Sequence, residues 1–154
     1  MNFDLEKLDE KIASFMEYWG VAALRFSLGV IFIWFGLLKP FGVSPAEPLL
    51  LKTVAWLPLF QPETWLLVIG WWEVIIGAAF LFRKTIRIAI ALLAMQMVGT
   101  FMPLVFLPSV VFQAGGFPYA LTMEGQYIVK NLLIISAALV IGGTVRARKT
   151  PMAK

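Results

Sequence analysis

The chain contains no cysteine and no histidine, and only 14% of its 154 residues are charged. Without cysteine it forms no disulfide of its own and runs no dithiol relay. Without either residue it ligates neither haem nor an iron–sulfur cluster in the usual ways, and it builds no Cys/His zinc site. Ser–His and Cys–His nucleophilic triads are excluded too. No metal site is expected. What remains is apolar: 60% of residues are hydrophobic and the mean hydropathy is +0.85. A soluble domain of this length cannot hide so much apolar surface, because surface-to-volume scaling leaves a large exposed shell. Lipid removes that limit, and the length suits one bundle without a second domain.

Four apolar segments are long enough for the ~20 residues a bilayer core needs, at about 20–38, 64–82, 86–107 and 125–143. Period-2 alternation is absent, and lipid demands that backbone polar groups be satisfied internally, so helices are predicted. The fold class is therefore all-α: a polytopic membrane protein with a four-transmembrane-helix bundle over 20–148, followed by a basic tail at 149–154. Ahead of it, residues 1–19 carry Leu5, Leu8, Ile12, Phe15 and Trp19 at spacings of three and four. That pattern predicts an N-terminal amphipathic helix lying along the interface, and its acidic start is unlike a signal peptide. Its charged face is net acidic, which reads first as a simple solvated face and otherwise as one that docks on a protein rather than on anionic lipid.

The chain has a formal net charge of +4, but its basic residues flank apolar segments, which marks membrane topology and gives no reason to expect nucleic acid as a partner. Lys7, Lys11, Arg83, Lys84, Arg87, Arg146, Arg148, Lys149 and Lys154 share one side, against Lys39 and Lys52 on the other. The positive-inside rule then places both termini on the cytoplasmic side of a plasma (inner) membrane. In the first outer loop, Ser44-Pro45-Ala46-Glu47 reads as a capping box opening a short helix that ends near Pro58. The second, over 108–123, reads as irregular.

Ionisable groups within the hydrocarbon carry the sharpest functional signal, because each costs several kcal/mol unless paired or hydrated. Glu73 and Gln96 fall near the midplane, with Arg25 and Lys130 each roughly 8 Å from opposite boundaries at ~1.5 Å rise per residue. Heptad-like seams run through Arg25, Gly29, Phe32, Gly36 and Lys39, and through Leu66, Gly70, Glu73, Gly77 and Phe80. Gln96, Gly99 and Pro103 share a face, as do Gln126, Lys130 and Ala137, with Tyr127 and Asn131 adjoining. A bundle that turns these seams inward brings Arg25, Glu73, Gln96, Lys130 and Asn131 together. Such a cluster either pins helix register or forms a polar cavity for a quinone head group, a small anion or a proton-coupled solute. Lys39 and Glu124, near the outer boundary, form an outer gate or an interfacial ion pair.

The ordered set of motifs resembles the DoxX family of small four-helix membrane proteins. The first span carries Arg25, Gly29, Gly36 and Lys39, and the second reads WWEVIIGAAFLFRKTIR, with Glu73 and Gly77. Gly42–Pro58 and Leu121–Leu139 look like one branch of that family, and the resemblance runs from about Gly20 to Arg148. It implies a four-helix bundle and a non-catalytic subunit or anchor in a quinone-linked or thiol/sulfur-related redox assembly, with quinone as the cofactor in view. Two other readings stand beside it. One is a small-solute or anion carrier using Arg25, Glu73 and Lys130, which at four spans needs a homo-oligomer for a path. The other is a purely structural membrane protein.

Overall fold

The first proline in the chain is Pro40, and the first long helix runs up to it. The computed structural model describes residues 2–147. In it, α1 spans Asn2–Leu38 without interruption. It ends there because a residue that precedes proline is pushed out of the α region. The amphipathic segment and first span, expected as two elements divided near Gly20, are thus one rod. Nothing at that boundary breaks the helix: a lone glycine costs only ~1 kcal/mol, and no proline intervenes.

The remaining elements are α2 (Glu47–Val54), α3 (Pro62–Leu81), α4 (Ile86–Phe101), α5 (Pro103–Phe106), α6 (Pro108–Val111) and α7 (Met123–Ala147). A three-residue 3₁₀ turn, Arg83–Thr85, joins α3 to α4. Four stretches are long and apolar enough to cross a bilayer: Leu5–Leu38, Pro62–Leu81, Arg83–Phe106 and Met123–Val145. The protein is an all-α, multi-pass membrane bundle. α1 packs beside α3, α3 beside α4, α4 beside α7, and α7 closes the ring against α1. Leu28, Phe32, Ile76, Phe80, Leu93 and Ile141 fill the half of the bundle nearer the termini. The short helices cover the opposite end.

Three local expectations change. Ser44 does not cap α2 with its side chain; Ala46 holds the N-cap position in an αR conformation, and Pro48, not Pro45, occupies the first turn. The Ser44 carbonyl instead accepts the Glu47 N–H in a preceding turn. Within the third span α4 stops at Phe101, since Pro103 has no N–H to continue the ladder, and the chain restarts as α5 and again at Pro108 as α6. The loop after it is irregular only in part, since it opens with α6 and its ends are tied together. Phe112 and Leu121 form an antiparallel bridge, and the Thr122 hydroxyl donates to Val110 O at 2.7 Å while accepting the Gly125 N–H at 3.2 Å.

Among the spanning helices, the backbones come closest between α1 and α3. A Cβ built on Gly77 would stand 2.6 Å from Gly29 O, and one on Gly36 2.8 Å from Gly70 O. Glycine pairs seven residues apart on each helix therefore interlock in antiparallel register, Gly29 facing Gly77 and Gly36 facing Gly70. Small residues permit this approach where lipid gives helices no hydrophobic reason to associate.

Candidate functional site

The glycine seam also positions the polar residues. Lys39 lies three residues beyond Gly36, and Glu73 three beyond Gly70. Helical side chains lean toward their own N-terminus, so on antiparallel helices these two lean toward each other. The Lys39 stem crosses Gly70 and the Glu73 stem crosses Gly36, each glycine making room for the other helix's charge.

Lys39 Nζ donates to Glu73 Oε2 in a buried ion pair and also to Phe35 O at 3.3 Å. Gln96 Nε2 donates to Glu73 Oε1 at 3.0 Å, which brings α4 into the cluster. Thr100 Oγ1 donates to Gln96 O at 3.0 Å on the same face. Trp72 Nε1 adds a cross-helix bond to Leu92 O at 3.4 Å. Lys39 is only 5% exposed, so the ammonium relies on these partners, and both oxygens of the carboxylate are engaged. Removing one member of such a pair is far more costly than the pair is stabilising, because an uncompensated charge stays buried.

The grouping differs from the one the sequence suggests. Glu73 and Gln96 meet as expected, but the cation is Lys39, and the pairing of Lys39 with Glu124 does not form; Glu124 stands exposed in the first turn of α7. Arg25 forms no ion pair with Glu73. The glycine register sets Glu73 level with Ile33, and about eight residues from there to Arg25 is roughly 12 Å along the axis, beyond reach. Lys130 is exposed, its ammonium 5.1 Å from the Tyr127 ring centroid. Asn131 Nδ2 donates to Tyr127 O and Ile128 O on its own helix, at 3.0 and 3.1 Å. α7 turns Ile128, Ala138 and Ile141 to the interior, which leaves its polar seam outside.

Lys39 had a readable signal: Gly-x-x-Lys and Gly-x-x-Glu on adjacent spans, whose side chains converge once the helices run antiparallel. Among the described residues, no three acidic side chains gather where they could hold a metal. Every buried polar side-chain atom in the cluster has a partner, the unpaired one among the described residues being Trp65 Nε1 elsewhere on α3.

At the end that holds the termini, α1 outruns the bundle. Residues 5–20 are all exposed, including Leu5, Leu8, Ile12, Phe15 and Trp19. At 100° per residue this stripe lies opposite the Leu28–Phe32 face and continues the exposed line of Phe26, Val30 and Trp34. The result is a helical stalk with an apolar seam turned away from its own bundle. Comparison with protein-family models, curated proteins and solved structures finds no match.

Proposed function

We propose that this chain is a DoxX-like membrane subunit, a non-catalytic anchor that holds a redox partner, quinone-linked or acting on thiols or sulfur, against a plasma (inner) membrane. The observation that carries the reading is the stalk: a continuous helix on which Leu5, Leu8, Ile12, Phe15 and Trp19 all stand exposed. The net acidic charge of its other face favours protein over anionic lipid as the occupant. The interior supports the same reading. Lys39, Glu73 and Gln96 satisfy one another, so quinone chemistry belongs to the partner, and the bundle supplies attachment. A carrier built on Arg25, Glu73 and Lys130 gains no support, because the three do not converge. The distribution of basic residues supports an orientation with both termini cytoplasmic.

The test is purification of the whole protein in mild detergent, as wild type and as Leu8→Glu/Phe15→Glu. A flavin-, haem- or dithiol-bearing chain is expected to co-elute with the wild type and to be lost with the variant, while both bundles elute at one position. Equal recovery from both, or no redox chain with either, sinks the proposal.

A further inference from the structure

Where the stalk leaves the bundle there is a notch of about 450 Å³, lined by Ser14, Glu17, Tyr18, Trp19, Ala22 and Arg83. That volume lies in the range of small-ligand sites. It exists because α1 stays helical past the bundle's end, so its first side chains beyond the core overhang the turn that joins α3 to α4.

Its lining holds opposite charges that do not touch: Glu17 and Arg83 share the notch and form no ion pair with each other. The same lining carries two aromatics, Tyr18 and Trp19, whose rings meet edge to face at 5.2 Å. Continuing the glycine register carries Arg83 to the level of Ala23 and puts Trp19 one turn further out, with exposed Phe26 and Phe82 on the hydrocarbon side. That is the depth of lipid headgroups, where Trp and Tyr concentrate. Thr85 fixes the turn that carries Arg83, its hydroxyl donating to Ala79 O and Phe82 O at 2.7 and 3.0 Å.

We propose that the notch is a binding site for a zwitterionic phospholipid headgroup, one that carries an ammonium and a phosphate on a short linker. The phosphate meets the Arg83 guanidinium, which matches phosphate oxygens with paired donors. The ammonium meets the Glu17 carboxylate and the faces of Tyr18 and Trp19, within cation–π range. A purely anionic headgroup fits worse, since Glu17 repels it. The site does not depend on the anchor reading.

Native mass spectrometry of the detergent-purified full chain tests this with phosphatidylethanolamine, phosphatidylglycerol and soluble O-phosphoethanolamine as probes. Wild type is expected to retain phosphatidylethanolamine over phosphatidylglycerol by about fivefold, the worth of one charge at this depth. Glu17→Gln is expected to abolish or reverse that preference, and Arg83→Gln to lower retention of both lipids. Ser14→Trp, on an exposed position, fills the notch and should block binding without touching the core. Soluble O-phosphoethanolamine displacing the lipid at micromolar concentration would overturn the lipid assignment in favour of a free amino-phosphate compound. A phosphatidylglycerol preference in the wild type, or retention unchanged across all three variants, overturns the site.

Discussion

Replacing Gly77 by alanine adds one methyl group where two backbones meet. The new Cβ would stand 2.6 Å from Gly29 O and 2.7 Å from Ile33 N, neither of which can rotate aside. Restoring an ordinary 3.4 Å contact separates α1 from α3 by about 0.8 Å locally, and a gap of that size forfeits a quarter to a half of each dispersion contact it opens. Overpacking of this kind costs about 1–3 kcal/mol, against the ~1 kcal/mol that alanine gains over glycine in a helix. Taking the middle of that range, about 2 kcal/mol, less about 1 kcal/mol of propensity, the expected net is a loss of about 1 kcal/mol for Gly77→Ala. Gly36→Ala should behave alike, but the double variant should lose less than the two losses added together, because helices already parted by one methyl accommodate the second. Gly99→Ala supplies the control, since nothing lies within 4 Å of its Cβ position, and it should be neutral or stabilising. Reversible unfolding in mixed micelles, followed by circular dichroism, measures all four. Gly77→Ala matching wild type, or Gly99→Ala falling with it, would refute the interlocked seam.

The buried pair should show the asymmetry of its burial. Glu73→Leu strands the Lys39 ammonium at about 3–5 kcal/mol, whereas Lys39→Met with Glu73→Leu should recover most of that loss, and Gln96→Leu alone should cost about 1–3 kcal/mol by leaving Glu73 Oε1 unmet. The same unfolding assay decides it, and a double variant no better than Glu73→Leu would contradict the pairing. Orientation is open to direct chemistry because the chain has no native cysteine. Ser14→Cys and Ala114→Cys both put a thiol at an exposed position, and an impermeant maleimide added to sealed cells should label only the second. Labelling of the first alone would invert the orientation.

The number of spans was legible because lipid demands about 20 apolar residues of each. Their contacts were less so. Period alone shows that Gly29 and Gly36 share a face, and likewise Gly70 and Gly77. Their interlocking requires knowing that α1 lies beside α3, which no local pattern states. Lys39 looked like a boundary residue by position along the chain; its side chain reaches back along the helix to Glu73, and depth counted at Cα misses that reach. Lys130 and Arg25 were misgrouped for related reasons. One lies on a face that Ile128 and Ile141 turn outward, and the other lies two helical turns from Glu73. The continuity of α1 was available all along in the absence of proline before Pro40.

The turn between α3 and α4 has a consequence for how the protein is made. It is only Arg83–Thr85, tied down by the Thr85 hydroxyl onto carbonyls at the end of α3, so these two spans can enter a bilayer only as a hairpin. Its tip carries Arg83, Lys84 and Arg87, and taking three cations through hydrocarbon would be costly, which favours insertion with the tip left behind. The glycine seam and the Lys39–Glu73 pair join α1 to α3 and lie outside that hairpin, so closing them requires the hairpin to associate with α1.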